Sequence, residues 1–127
     1  MRKLCLISGL AIMLLGCGRR ESTADWMDRL HSQDSATRLH AVKALGEKRA
    51  EANTVVPALA EALRDKDPFV RREAANSLGR IGADARSAVP ALVSAMQDPQ
   101  PKVRQAATQA LQQIDPEAAG KANSRRT

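Results

Sequence analysis

The sequence is poor in aromatic and metal-binding side chains. It has no tyrosine, one phenylalanine and one tryptophan among its 127 residues. Proteins that bind single-stranded nucleic acid usually stack its bases on aromatic side chains, so this scarcity argues against a nucleic-acid partner. The two histidines, His31 and His40, fall on different predicted helices, whereas a metal site needs several ligands with matched spacing. We therefore expect neither nucleic acid nor a metal ion as a ligand.

Sequence motifs of enzymes are missing as well. No serine lies in a G-x-S-x-G elbow, the turn that exposes the nucleophile of many hydrolases. There is no glycine-rich phosphate-binding loop, and Gly79 and Gly82 lie where a predicted helix ends. Many carboxylates fall at turns and helix starts, where capping explains them. We therefore predict that the chain is not an enzyme, needs no cofactor and has no small-molecule substrate.

The sequence has no apolar run long enough to cross a bilayer, but its beginning has a shorter one. Met1, Arg2 and Lys3 form a short positive segment, and residues 4–16 carry no charge. A membrane-spanning helix needs about 20 such residues. A run of this length instead fits the apolar region of a secretory signal peptide, which usually has about 7–15 residues.

The run ends in the letters LLGC, the last of which is Cys17, and this ending resembles the lipobox of bacterial lipoproteins. The resemblance implies that residues 1–16 are a signal peptide, that Cys17 is acylated after the cut, and that residues 17–22 form a tether. Two or three acyl chains, as the resemblance implies, hold a protein stably to a membrane. Gly18 rather than aspartate follows the cysteine, which implies the outer membrane by default in a host with two membranes.

A plain signal peptide cut elsewhere and a short membrane anchor are the alternatives. The sequence has two cysteines, and Cys5 lies inside the apolar run. Cys5 would leave with a signal peptide, and Cys17 would then have no cysteine to pair with in an exported chain. Acylation of Cys17 explains this single cysteine.

The charge is mildly positive and evenly mixed. The chain has 20 basic and 14 acidic side chains, and two of the basic ones, Arg2 and Lys3, belong to the candidate signal peptide. Basic and acidic residues intermingle along the middle of the chain, as on solvated helix faces. This pattern again argues against a nucleic-acid-binding patch.

The middle of the chain contains an internal repeat with an offset of 33 residues. Residues 56–82 and 89–115 both begin with VPAL and share an aspartate, a proline, a Val-Arg pair and spaced alanine, leucine and isoleucine residues. A weaker copy precedes them at the same offset. We therefore predict three units followed by a short, polar, disordered tail: 23–55, 56–88, 89–119 and the tail 120–127.

Each unit contains two helical patterns. In the second unit, Asp67 can cap the second helix and Pro68 suits its first position. Apolar residues then recur at spacings of three and four up to Gly82, a predicted left-handed stop. No alternating run of β-branched residues predicts a strand. The fold class is therefore all-α: a short α-solenoid of six helices in three antiparallel pairs.

The string VRREAANSLGRIG, preceded by VPAL and DKDP, resembles HEAT repeats, and more closely the short bacterial HEAT-like repeat of phycobilisome-lyase-type proteins. In the first unit, Lys48 and Arg49 stand where the second has isoleucine and glycine, and Trp26 stands where it has leucine. These departures suit a terminal unit with one unpartnered face. The resemblance implies that recurrent aspartates and arginines link neighbouring units through turn hydrogen bonds and ion pairs: Asp65, Arg71, Asp98 and Arg104.

Proteins that resemble this one usually bind partners along the second helices of their units. Three rows of side chains align there by register, with some positive charge and little carboxylate, and they could receive an acidic or amide-rich protein segment. A merely solvated helix face is the alternative. The rows are Leu39, Arg72 and Gln105; Lys43, Asn76 and Gln109; and Glu47, Arg80 and Gln113.

These observations predict a non-enzymatic scaffold, tethered by lipid in the bacterial cell envelope, that holds a protein partner. Two alternatives remain open. The lyase resemblance implies a protein that handles a bilin chromophore, and the small size of the domain allows a structural subunit of a larger envelope complex.

Overall fold

The computed structural model describes residues 20–126, and all of its regular structure is helical. The predicted signal peptide (1–16), Cys17 and the first part of the tether lie outside the described residues. None of the described helices combines the length and apolar character that a bilayer crossing requires. Seven α-helices follow in order: α1 Thr23–Arg29, α2 Ser35–Gly46, α3 Ala52–Ala62, α4 Pro68–Ile81, α5 Val89–Ala95, α6 Pro101–Ile114 and α7 Pro116–Ser124.

The first six helices form the three predicted pairs, so the prediction of an all-α stack is confirmed. Within each pair the helices pack on each other, α1 on α2, α3 on α4 and α5 on α6. Their short connections make them antiparallel neighbours. The second helices α2, α4 and α6 also pack side by side, and this contact joins the units into one stack.

Side-chain caps begin two of the three second helices, and the one at Asp67 is the cap that the sequence predicts. The Asp34 carboxylate accepts a hydrogen bond from the backbone N–H of Thr37, and the Asp67 carboxylate accepts one from Phe69. Pro68 occupies the first turn of α4, as predicted. These caps satisfy backbone donors that a helix start otherwise leaves unpaired.

The core is built from the apolar stripes that the repeat places in register. Leu45, Leu78 and Leu111 are fully buried, one in each second helix. The surrounding positions are mostly alanine and valine, and small side chains let the helices approach closely. Trp26 of α1 is buried within the first unit. The Arg29 guanidinium lies over its ring, and the His40 ring contacts it edge-on. This tryptophan fits the predicted end cap.

The prediction of a disordered tail over 120–127 is wrong up to Ser124, because α7 runs from Pro116 to Ser124. The Asp115 carboxylate caps this helix by accepting a hydrogen bond from Ala118. Ala119 and Ala122 bury its inner face against α6. Asp115–Pro116 is therefore a helix start of the same kind as Asp67–Pro68.

Two further details differ from the sequence interpretation. The boundary between 55 and 56 falls inside α3, which begins at Ala52 after a 3-10 turn at Arg49–Glu51. Gly82 has the positive φ expected of a helix stop, 78°, but its ψ of −141° lies outside the left-handed helical region. Gly82 thereby starts the 3-10 helix Gly82–Ala88, which ends where α5 begins.

Candidate functional site

A ladder of arginine and aspartate residues joins the three units. Arg38 donates from Nε to Asp65 Oδ2 at 2.8 Å and from Nη2 to Asp65 Oδ1 at 3.1 Å. Arg71 repeats both bonds to Asp98, at 2.8 and 3.1 Å. These paired contacts are the bidentate geometry of strong charge-assisted hydrogen bonds. The predicted linking role of Asp65, Arg71 and Asp98 therefore has a geometric basis.

The same arginines also close the turns of their own units. Arg71 Nη1 donates to the carbonyl oxygens of Asp65 and Lys66, at 2.8 and 3.3 Å. Arg104 Nη1 makes the equivalent bonds in the next turn, to Asp98 and Pro99, at 2.8 and 3.1 Å. Arg38 is a ladder member that the prediction left out, although it matches Arg71 at the repeat offset.

The two ladder carboxylates are held in their charged form. Burial raises the pKa of Asp65, but hydrogen bonds from Arg38 and from the backbone N–H of Asp67 outweigh burial, and the pKa lies below its ordinary value of 3.8. Asp98 has the same balance, with Arg71 and the N–H of Gln100 as its donors. The ladder carboxylates are thus stabilised as ion pairs with their arginines.

The predicted partner-binding face lies along α2, α4 and α6, but its members differ in accessibility. Leu39 is partly buried and packs against the core, so it contributes little to the surface. Arg72, Asn76 and Arg80 are partly exposed. The exposed members lie on α2 and α6: Lys43, Gln105, Gln109 and Gln113.

Arg80 contributes less positive charge to this face than the sequence suggests. Its Nη2 donates to Glu73 Oε1 and to Ser77 Oγ, each at 2.9 Å. Its Nε also lies 3.8 Å from a carboxylate oxygen of Glu47. These carboxylates compensate its charge, so Lys43 and Arg72 are the principal positive groups of the three predicted rows.

One functional candidate was missed by the sequence analysis. Phe69, the second residue of α4, is 59% exposed. It is the only large apolar side chain among residues 20–126 that is exposed. The guanidinium of Arg72 lies 5.5 Å from the centroid of its ring. The repeat could have indicated this residue, because its equivalents in the other units are Ala36 and Lys102.

A shallow groove of about 140 Å³ adjoins Phe69 and runs between the starts of α4 and α6. Its lining combines apolar, amide and cationic groups: Pro68, Phe69, Arg72, Gln100, Lys102 and Val103. We call Phe69, Arg72 and Lys102 the anchor patch. It shares Arg72 with the predicted rows and extends the candidate face toward the start of α6.

The opposite side of the stack carries two equivalent grooves, of about 400 and 500 Å³. They lie between successive first helices, which pack on each other less closely than the second helices do. Leu30 and His31 line the first groove, and their repeat equivalents Leu63 and Arg64 line the second. Residues 20–126 contain no group of His, Cys, Asp and Glu side chains that could hold a metal ion.

Comparisons with known proteins agree with this architecture. A family model described as HEAT repeats matches residues 23–87, and one described as HEAT repeat matches residues 88–117. No curated protein matches the chain. The solved complex of CpcE and CpcF of phycocyanin lyase from Nostoc sp. PCC7120 contains a chain with 30% identity and a TM-score of 0.74. That match covers 85% of this chain and 42% of the lyase chain.

A second solved structure, an engineered protein, has 25% identity and a TM-score of 0.65. The match covers 84% of this chain and 51% of the engineered one. The chain therefore spans about half, or less, of the length of these two proteins.

Proposed function

Because the chain belongs to the HEAT repeat family, we propose that it is a non-enzymatic module that binds a protein partner along its second helices. The anchor patch carries this proposal, since it places an exposed aromatic ring beside an arginine, in a groove that a lysine also lines. Aromatic and arginine side chains dominate the binding energy of most protein interfaces. The lyase structure, a complex of two proteins, supports a partner of the same general kind.

The chemistry of the face favours an acidic partner segment with one apolar anchor. Lys43, Arg72 and Lys102 supply positive charge, and the exposed glutamines of α6 supply hydrogen-bond donors and acceptors. Opposite charge on the partner would speed association and fix its register. An apolar side chain of the partner would pack on Phe69 in the shallow groove.

Photocrosslinking from single positions tests this binding face. A photoreactive residue placed at Phe69 or Gln109 should crosslink one and the same protein in the bacterial cell envelope. The matched control is Glu51, an exposed residue of the first unit outside the face. The additional change Arg72→Glu should reduce crosslinking from both face positions by about tenfold. Equal yields from Glu51 and Phe69 would contradict the proposal.

We further propose that the module is anchored to a membrane through acylated Cys17. The capping box of Ser22 and Asp25 fixes the start of α1, and five extended residues reach at most roughly 18 Å. Such a tether would hold the stack close to the membrane surface. The lipobox-like order of residues 1–17 supports the anchor, and the outer membrane is its default location in a host with two membranes.

Intact mass and membrane fractionation of the full chain beside Cys17→Ser test the anchor. The wild-type protein should start at Cys17, carry acyl mass and sediment with membranes, while the variant should remain unprocessed or unattached. A wild-type protein that retains residues 1–16 without acyl mass would overturn the anchor. The binding face would then have to be tested with cytoplasmic proteins.

A phycocyanin-lyase-like role is a second candidate, and the 30% identity to the lyase chain favours it. Under this hypothesis the chain would work with a second protein to handle a bilin chromophore. Mixing the purified chain with a bilin and recording the absorption spectrum tests it. A saturable spectral change would favour this role over a pure scaffold.

A further inference from the structure

The arginine–aspartate ladder is incomplete at its last member. Arg38 and Arg71 each hold a carboxylate with Nε and Nη2. Arg104 makes the same Nη1 bonds to turn carbonyls as Arg71 does. Within residues 20–126, however, its Nε and Nη2 contact no carboxylate. Within the described part of the chain, the last guanidinium fork of the ladder is therefore oriented but lacks the carboxylate that its two equivalents hold.

The two complete ion pairs of the ladder show which kind of group would fit the guanidinium of Arg104. In both, an aspartate meets Nε at 2.8 Å and Nη2 at 3.1 Å. In both, Oδ1 of that aspartate also accepts the N–H of the residue two positions later, at 2.9 Å. The carboxylate thus comes from a tight turn. Because two carbonyl bonds already orient Arg104, a ligand carboxylate would find its donors in place, which favours binding.

The second helices of neighbouring units meet at glycines, and α6 has no glycine at the equivalent position. The second helices approach so closely at Gly46 and Gly79 that an added Cβ would lie 2.5 Å from Ser77 Oγ and 2.3 Å from Gln113 Oε1, respectively. The equivalent position in α6 is Gln112, whose side chain would occupy the same space. The glycine-mediated contact that joins the earlier pairs is therefore not available on the outer side of α6.

A second copy of this chain, stacked head to tail, is also a poor occupant. The residue equivalent to Asp65 and Asp98 in the first unit is Ser32. Its hydroxyl accepts the N–H of Asp34 at 3.2 Å and so reproduces the turn, but it brings no carboxylate. The first unit therefore has Ser32 where the other two units have the ladder aspartate, whereas the third unit has the ladder arginine, Arg104.

We propose that Arg104 binds an aspartate from a turn of the partner protein and so forms a third member of the ladder. The proposal rests on the proposed function in that the ligand belongs to a protein partner. It adds a specific contact at the end of the stack. Asp98, the acidic group nearest in the ladder, is already paired with Arg71 and does not compete for this fork.

Nuclear magnetic resonance of the arginine Nε–H groups tests the proposal on the full chain without knowledge of the partner. The probe is a blocked peptide with the sequence of residues 65–69, DKDPF, which carries the turn aspartate of the second unit. It should shift the Arg104 Nε–H signal in a saturable way. The same peptide with asparagine at its first position should bind at least about tenfold more weakly, because it loses the charge-assisted pair.

Two variants give the comparison. Arg104→Lys keeps the charge but loses the planar fork, and it should weaken peptide binding by about tenfold. Arg49→Lys, an exposed residue of the first unit, should leave binding unchanged. Unaltered Nε–H signals of Arg38 and Arg71 would show that the ladder of each variant is intact.

Three outcomes would overturn the proposal: no shift of the Arg104 signal, equal binding of the aspartate and asparagine peptides, or the same shift from acetate at equal concentration. The last result would identify a site for small anions only. Crosslinking from Phe69 is an independent measurement. If crosslinking fails while the peptide binds Arg104, the second-helix face is wrong and the third ladder contact stands. If crosslinking succeeds while the peptide does not bind Arg104, the face stands and the third ladder contact is wrong.

Discussion

The side chains of the ladder place opposite charges where little water reaches them. The side chains of Arg71 and Asp98 are 14% and 8% exposed. Removing one partner of such a pair leaves the other charge buried without compensation. We therefore expect Arg71→Ala to lower the free energy of unfolding by about 3 kcal/mol, measured by urea denaturation.

Arg104→Ala is the matched control for that substitution. Arg104 makes the same carbonyl bonds as Arg71 but, within residues 20–126, no carboxylate pair. Its removal should cost about 1 kcal/mol, the contribution of the turn hydrogen bonds alone. Equal losses for the two variants would show that the carboxylate contact adds nothing to stability.

The ladder also predicts how stability depends on pH. The folded pKa values of Asp65 and Asp98 lie below 3.8, whereas an unfolded aspartate titrates near about 3.9. As pH falls, the unfolded chain therefore takes up protons first. Stability should be fully present above about pH 5 and decline as pH falls through about 4 and then through the folded pKa values.

Urea denaturation between about pH 6 and 2.5 measures this decline. The variant Asp98→Asn should be less stable at neutral pH but should lose less additional stability in acid. Asp34, whose pKa is lowered mainly by hydrogen bonds from Thr37, adds to the acid dependence with the same sign. An identical acid slope in wild type and Asp98→Asn would contradict the assignment.

Repeat register identified most of the ladder residues, and the resemblance to HEAT repeats implied that they link neighbouring units. Asp65, Arg71, Asp98 and Arg104 were found in this way. Register could not tell that Arg104 has no carboxylate partner among residues 20–126, since that depends on which groups lie next to the third unit in space. Nor could register tell that the charge of Arg80 is compensated by Glu73, because this contact depends on the rotamers of two side chains within α4.

Glycines in the second helices set how closely the helix pairs approach. An alanine Cβ at Gly46 would lie 2.5 Å from Oγ and 2.6 Å from Cβ of Ser77, a fully buried residue. One of the two helices would have to move. Gly46→Ala should therefore lower the free energy of unfolding by about 2 kcal/mol, the typical cost of overpacking, as measured by thermal and urea denaturation.

Gly120 in α7 provides the opposite case. Nothing lies within 4 Å of an added Cβ there, and its φ is not positive. Gly120→Ala should stabilise the protein by about 0.5–1 kcal/mol, because alanine has the higher helix propensity. If both substitutions changed stability in the same direction, helix approach at Gly46 would not be the controlling factor.

The helices themselves were largely readable from the sequence, and the exceptions have physical causes. Aspartate–proline pairs mark the starts of α4 and α7, but the sequence analysis predicted no helix after the second pair. The grooves between first helices could not be predicted. They depend on the spacing between the first helices. These helices are held in place mainly by the second helices and only weakly by contacts with each other.

The stack gains its stability from contacts between neighbouring units, so the position of a defect along it should matter. Leu45, Leu78 and Leu111 are equivalent by register, and all three are fully buried. Replacing any of them with alanine should cost about 3 kcal/mol in local packing. In a linear array, however, the middle unit supports two interfaces and each outer unit only one.

Leu78→Ala should therefore lower the opening free energy of amides throughout the protein, while Leu111→Ala should lower it mainly in the last unit. Native-state hydrogen exchange measures this difference, because it reports the opening free energy of each amide. In Leu78→Ala, amides of α2, α4 and α6 should all lose protection by similar amounts. In Leu111→Ala, the loss should be largest in α5, α6 and α7, and α2 should retain most of its protection. Leu45→Ala gives the mirror case, with the loss centred on α1 and α2. If all three variants gave one uniform pattern, the protein would unfold only as a single unit, and the position of a defect along the stack would not matter.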